Sequence, residues 1–346
     1  MNKALRGADL ALRLDQIDLA RESYEHLAAS AVPRAVRARA EAGLGQLAFR
    51  DDNARTAIRY LERAYELDPE LDDPAAAETL GRAYAQIGSE EAAADLFRRQ
   101  LEGAEKRQDG VGRLRFALLL ANTLIDATEF AEATSLLSRA IADVPANDPV
   151  ALARVRWSQA RLHGHRGETE LARRHARQAL ELLEPSEHTA YTARAYRALA
   201  HFELDAGHAL EALELLERGR ELLASSGTHQ EEAVFALEEA RALTQLERVD
   251  EAASLAMASA AGFAGAHPVD AGRSYAELAA ALDQCGDIGR ALEIYELAIE
   301  FLEKRPSLFL VEAYGRHAEL LERIGKSDEA FAAYKRGAIL RAELVH

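Results

Sequence analysis

The sequence predicts an all-α chain, a solenoid of about nine helix-turn-helix repeats, and two observations predict it. The first is composition. Ala, Leu, Glu and Arg dominate, and only 6% of the residues are aromatic. These are good helix formers, and few β-branched residues remain to build strands. The second is a recurring small residue. Alanine stands at 20, 57, 93, 133, 172, 212, 252, 291 and 330, in steps between 36 (57 to 93) and 40 (93 to 133). Twelve residues before each lies another small residue: Ala8, Gly45, Gly81, Ala121, Ala160, Ala200, Ala240, Ala279 and Ala318. Four residues after each lies Tyr24, Leu61, Phe97, Leu137, Ala176, Leu216, Ala256, Tyr295 or Tyr334. Small residues at fixed offsets give neighbouring helices room to approach, and the larger residue fills the space beside them.

In order, the repeats cover 1–33, 34–70, 71–109, 110–148, 149–187, 188–227, 228–267, 268–306 and 307–346, read as a single array from 1 to 346. Each splits at a short polar turn. Glycine marks it at Gly88, Gly167, Gly207, Gly286 and Gly325, and acids follow as Glu90-Glu91, Glu168, Asp287 and Asp328-Glu329. Glycine suits a left-handed helix cap, and an acid suits the positive start of the next helix. Repeat 7 has no such glycine and is the weakest match. Prolines 33, 69, 74, 145, 149, 185, 268 and 306 fall at repeat ends and break no predicted helix. The links near Gly103–Gly112 and Gly262–Gly272 are the expected points of flexing. Each repeat has an apolar face that only a neighbour covers. The last helix, Glu329 to Leu344, carries Phe331, Tyr334, Ile339, Leu340 and Leu344 with no repeat after it. It is expected either to stay a part-exposed cap or to pack against a second copy in a homodimer.

The formal net charge of −16 argues against direct nucleic-acid binding, which needs a basic footprint. A single cysteine, Cys285, excludes an intramolecular disulfide and fits a reducing compartment. It is expected to be small and semi-buried before Gly286. No N-terminal apolar stretch resembles a signal peptide, and no apolar run approaches ~18 residues, so a cytoplasmic chain without membrane contact is expected.

Within repeat 3 the run LGRAYAQIGSEEAAADLF places Leu80-Gly81, Tyr84, Ala93 and Phe97 in the spacing L-G-x₂-Y … A-x₃-F. This resembles the tetratricopeptide-repeat (TPR) signature, and the likeness extends over essentially the full chain. The TPR-like resemblance implies a right-handed superhelical solenoid. The family's repeat is about 34 residues; here it is nearer 39–40, which lengthens the helices by about a turn, roughly 5 Å. Long repeats of this kind resemble the sensor domains of bacterial peptide-sensing regulators (the Rap and PlcR group) and of MalT-like activators. They are also similar to the repeats of kinesin light chains.

In that family the first helix of each repeat lines a concave face. The resemblance therefore implies a groove lined by Arg39, Gln46, Phe49 and Arg50 of repeat 2, then Glu78, Arg82 and Gln86 of repeat 3. Arg115, Asn122 and Asp126 follow from repeat 4, and Arg154, Trp157, Ser158, Arg161 and His165 from repeat 5. Repeat 6 supplies Arg194, Arg197, His201 and Asp205, repeat 7 Glu238, Arg241 and Gln245, and repeat 8 Arg273, Glu277 and Asp283. Arginine recurs on this wall although the chain is acidic. Its planar guanidinium suits carboxylate and phosphate, so an acidic peptide or protein segment is the expected partner. The competing reading is that these arginines pair with acids on adjacent helices. The candidate ligand contacts are Arg82, Arg115, Asn122, Arg154, Trp157, Arg161, Arg194, Arg197, His201 and Arg241. In peptide-binding relatives an Asn at the Asn122 position bonds the peptide backbone; the matching Lys of a carboxylate clamp is replaced by Leu118. Trp157, the only tryptophan, is either a binding anchor or core.

His163, His165, His201 and Asp205 suggest a metal, but zinc needs three or four converging ligands, and His163 and His165 diverge on a helix. No metal and no cofactor is expected. No phosphate-cradling loop, nucleophile elbow or metalloprotease motif occurs, so the chain is read as non-catalytic. Two alternatives remain. The chain begins almost at once in repeat 1, whereas peptide-sensing regulators carry a DNA-binding domain before their repeats. It is thus either a stand-alone adaptor or the sensor part of a transcription regulator. A structural or dimerisation scaffold acting through its convex face or last helix is the other alternative.

Overall fold

The computed structural model describes residues 3–14, 16–51, 53–69, 71–223, 229–263, 268–304 and 306–345, apart from the side chains of 229, 230, 268, 308 and 343–345. Among these there are eighteen α-helices and no strand. They are α1 (Lys3–Arg13), α2 (Ile17–Ala29), α3 (Arg34–Arg50), α4 (Ala54–Leu67), α5 (Pro74–Gln86), α6 (Glu90–Lys106), α7 (Gly110–Asp126), α8 (Phe130–Asp143) and α9 (Pro149–His165). Then come α10 (Thr169–Leu183), α11 (Thr189–Asp205), α12 (Ala209–Leu223), α13 (His229–Gln245), α14 (Val249–Phe263), α15 (Pro268–Gln284), α16 (Ile288–Glu303), α17 (Leu308–Arg323) and α18 (Ser327–Val345). No described helix is long and apolar enough to cross a membrane.

The chain divides into two compact units, Met1–Pro145 and Ala146–His346. In each, an odd helix packs antiparallel on the even helix that follows, and that even helix packs on the next odd one. Odd helices also touch odd helices: α1 with α3, α3 with α5 and α5 with α7 in the first unit, then α11 with α13, α13 with α15 and α15 with α17 in the second. Among the described residues no two even helices approach comparably. In each unit the odd helices therefore form the closer-packed layer.

The small residues explain this approach. The nine repeating alanines are all buried, eight of them completely. Gly45 faces Leu61 so closely that a Cβ would lie 2.5 Å from its Cγ, and a Cβ on Gly81 would enter the Phe97 ring. Both are the small–large pairs that the spacing predicts. Gly43 makes a third such contact with Tyr24, whose hydroxyl donates to Asp9 at 2.8 Å.

Helix ends follow local chemistry. Asn53, Asp73, Asp109 and Asp148 cap α4, α5, α7 and α9 by accepting from the backbone N–H three residues on, at 2.8–3.0 Å. The five turn glycines all adopt φ between 73° and 82°. Where repeats 4 and 7 lack a turn glycine, Thr128 (φ 62°) and Glu247 (φ 58°) adopt the same left-handed conformation. The backbone closes identically in each case. Glu129 N–H donates to the Leu124 carbonyl at 2.8 Å, Arg248 to Leu243 at 2.9 Å and Ser89 to Tyr84 at 2.9 Å.

The glycines of the 103–112 link lie inside helices. Gly112 sits where a Cβ would come 3.2 Å from that of Ala104. Close packing and the Asp109 cap account for Gly112, whereas Gly110 has open space around it. Of the second link, residues 264–267 are outside those described; Gly272 lies in α15 against Leu302 and the Ala298 carbonyl. Cys285 is exposed rather than semi-buried, because it follows the last turn of α15 at the solvent edge. On α18, Phe331, Tyr334 and Ile339 are exposed, while Leu340 packs beside the cluster of Leu302, Leu310 and Tyr314; the side chain of Leu344 is outside those described.

Candidate functional site

The odd-helix layer of the second unit carries the densest polar constellation. At its centre is Glu238 on α13, only 2% exposed. Arg241, one turn on, donates to it at 2.6 Å and to Asp205 of α11 at 3.0 Å. Arg241 Nη1 also lies 2.8 Å from His201 Nδ1. The same Nδ1 stands 3.1 Å from Glu238 Oε1, and Nε2 faces Asp205 at 3.6 Å. Burial disfavours the Glu238 carboxylate, but Arg241, His201 and Arg273 outweigh it and hold its carboxyl well below the usual range. Burial likewise opposes the Arg241 cation; Glu238, Glu277 and Asp205 reverse this and raise it. Arg194 of α11 pairs with Glu231 of α13 at 2.7 Å.

Arg194, His201 and Arg241 are thus brought together, but each is engaged by a carboxylate. Acids from the same layer balance their charge, so the ladder ties helix to helix. Arg161 is engaged as well. The other arginines singled out differ. Arg82, Arg115, Arg154 and Arg197 donate no hydrogen bond and have no carboxylate at ion-pair distance among the described residues. Arg82 lies over the Phe49 ring at 5.5 Å, and Arg154 is exposed. Arg197 is partly buried on α11. Burial and the nearby Arg273 lower its pKa, with Glu238 opposing. Asn122 is partly buried on α7, and its Oδ1 is buried without a partner. Trp157 is partly buried on α9. Arg82, Arg115 and Asn122 belong to the first unit and the rest to the second.

A cleft in the second unit begins at Arg241, the last of the sequence candidates, and continues along the same layer. Arg241, Arg273 and Arg316 line it, with Glu277 and Glu312, and Phe309, Leu237 and Leu302 form apolar walls. The guanidinium carbon of Arg273 lies over the Phe309 ring, 4.3 Å from its centroid. Glu277 has Arg316 at 3.8 Å and Arg241 at 4.0 Å as its nearest cations. Arg273 and Glu277 stand in the repeat positions read as groove-facing; Phe309 and Arg316 belong to repeat 9, outside the repeats read as lining the groove.

The other polar clusters are structural. Glu203 of α11 is completely buried and accepts from Arg173 at 2.8 Å and Arg177 at 2.9 Å, with His208 at 2.8 Å. His208 and Glu211 could complete a three-ligand set with it. Arg177 already bridges Glu203 and Glu211 at 2.9 Å, so a guanidinium stands where a metal would go. His163 stacks on His175 at 5.2 Å and pairs with Glu168 at 2.5 Å, away from His201's partners.

A tetratricopeptide-repeat family model matches residues 272–301, which span most of α15 and α16. The fold is similar to that of the apo quorum sensor NprR from B. thuringiensis, at 15% identity over 86% of each chain with a TM-score of 0.65. The chain has a tetratricopeptide-like repeat fold. The repeat protein is also similar to a signal-transduction ATPase with a tetratricopeptide-repeat sensor from Pyrococcus horikoshii, at 15% identity over 96% of this chain and 54% of that one, TM-score 0.60. A third likeness is to a Rap protein complexed with Competence and Sporulation Factor, at 14% identity over 89% and 98% of the two chains, TM-score 0.59. No curated protein matches the sequence. At these identities the likeness is one of fold.

Proposed function

We propose that this repeat protein is a non-catalytic regulatory or adaptor module that holds an extended peptide or acidic protein segment on its odd-helix layer. The observation that carries the reading is the set of guanidiniums on odd helices without carboxylate partners: Arg82 and Arg115 in the first unit, Arg154 and Arg197 in the second. Each keeps its planar donors for an incoming carboxylate, and Trp157 beside Arg154 on α9 offers apolar area. Asn122, with a partnerless carbonyl oxygen and an amide donor, matches a peptide bond. In the second unit, Arg194, His201 and Arg241 tie α11 to α13 beside Arg197, and Arg161 stands with Arg154 on α9. The similar fold of a Rap protein complexed with Competence and Sporulation Factor supports a ligand-binding role. Tetratricopeptide folds are generally scaffolds, which supports a binding rather than a catalytic role.

The test is native mass spectrometry of the purified protein before and after denaturation, for the wild type and for Arg154→Glu with Arg197→Glu. A peptide that co-purifies with the wild type and is missing from the doubly substituted chain is the expected result. Unchanged ligand or partner binding in that variant would overturn the reading.

A further inference from the structure

Neighbouring repeats meet through one recurring pair. The residue four after a repeating alanine shares a buried cluster with the residue ten before the next repeating alanine. Tyr24 and Leu47 share one cluster, Leu216 and Ala242 another, and Tyr295 and Leu320 a third. None of these six is more than 3% exposed. The same positions are open in the first and last repeats. Leu10, ten before Ala20, is 55% exposed on α1, and Tyr334, four after Ala330, is 39% exposed on α18. Phe331 beside it is 71% exposed, whereas Leu292, its counterpart in repeat 8, packs against the cluster of Tyr295 and Leu320. The polar residues correspond as well. Where repeat 8 meets repeat 9, Arg323 donates to Asp283 at 2.8 Å, and Arg316 bonds the Tyr295 hydroxyl. Arg13 and Arg6 stand on α1 where Arg323 and Arg316 stand on α17, and Glu322 stands where Asp283 does. The Tyr334 hydroxyl bonds Glu322, so the two lie side by side.

We infer that the last repeat of one molecule seats on the first repeat of a second copy, head to tail. Tyr334 and Phe331 cover Leu10, and Glu322 pairs with Arg13, as repeats 8 and 9 pair within the chain. The occupant follows from what each end carries. The first repeat presents the leucine and the arginine of a junction, the last repeat the tyrosine and the acid, so each holds the half the other lacks. Glu319, Glu322 and Asp328 are exposed near the turn between α17 and α18. An antiparallel course of α1 on α18 brings Arg13, at the end of α1, to them. The one acid of α1, Asp9, accepts from Tyr24, so two first repeats have nothing to set against Arg13. Some like charges also meet. Arg6 comes to Arg316, which has Glu312 at 2.6 Å and Glu277 at 3.8 Å. Lys3 comes toward Lys335 and Arg341, and all three are exposed, where solvent and salt screen them. Such a contact leaves one end of each molecule open, so copies add until a ring closes or an open array runs on. It is independent of the ligand reading above.

The experiment is sedimentation velocity of the full chain over a concentration series. The variants are Leu10→Asp, Phe331→Asp, Arg13→Glu, and Arg13→Glu with Glu322→Arg. Leu210→Asp, at an exposed leucine of α12, is the control. Circular dichroism melting verifies each fold. Wild type and Leu210→Asp should gain mass beyond one chain as concentration rises. Leu10→Asp and Phe331→Asp should each need at least about tenfold more protein to do so. Mixed in equal amounts, these two variants should form pairs of chains and nothing larger, because each keeps one intact end and the two intact ends differ. Arg13→Glu should weaken association about threefold or more, and Glu322→Arg added in the same chain should restore it. If either aspartate variant melts early, the paired charge reversal decides. A wild type that stays a single chain at every concentration overturns the inference, as does a mixture that fails to pair. Association lost in Phe331→Asp but unchanged in Leu10→Asp overturns it in favour of two last repeats meeting each other.

Discussion

Replacing Glu238 by Gln asks whether the ladder is internal scaffolding. The amide keeps the shape and removes the charge. Glu238 is 2% exposed and is the common acceptor for Arg241, at 2.6 Å, and for the longer contact from Arg273. Removing one partner of a buried pair costs about 3–5 kcal/mol. Arg241 keeps Asp205 at 3.0 Å and is 18% exposed, so the loss falls at or just below that range, about 2–3 kcal/mol. The second unit has roughly 200 residues, and at about 2 cal/mol/K per residue this loss lowers its Tm by roughly 6 °C. The assay is paired urea and thermal unfolding at several pH values. The folded carboxyl lies well below its ordinary 4.5, so the unfolded chain binds the proton more readily. The stabilisation is therefore present above 4.5 and is lost as pH falls through the depressed folded value. The gap between wild type and variant should be full at pH 7 and close in acid. A gap below about 1 kcal/mol at pH 7, or one that persists unchanged at pH 3, would refute the argument. It would also return Arg241 to the pool of arginines open to a ligand.

Two further predictions concern the backbone. Gly81→Ala drives a methyl into the Phe97 ring and should cost about 1–3 kcal/mol by urea unfolding, since α5 and α6 must separate to admit it. Glu247→Gly should do the reverse. At φ 58° a non-glycine residue is strained, so glycine should raise the unfolding free energy measured in urea by roughly 0.5–1 kcal/mol despite the added entropy of the unfolded chain.

Much of the fold was legible because the contacts that build it are local and repeat. The small–large pairs Gly45–Leu61 and Gly81–Phe97 stand 16 residues apart in sequence and meet across one turn, so a fixed spacing reports them directly. The left-handed turns at Thr128 and Glu247 were hidden, because the conformation is imposed by the helices on either side and not by the residue. The site was legible only in part. Repeat position places Arg194, Arg197 and Arg241 on one face, yet position alone does not say which of them meets a carboxylate.

Sequence by itself determined the helix pairs, their turns and the face on which the arginines stand. Each of these depends on periods and offsets within about 40 residues. Tertiary structure alone decided which charges cancel. Arg241 meets Asp205 from 36 positions away and Arg194 meets Glu231 from 37, while Arg197, between them on the same layer, meets no carboxylate. An ångström or two in the seating of one helix on the next separates a 2.6 Å ion pair from a guanidinium left open. That distance is set by the packing of α11, α13, α15 and α17 together.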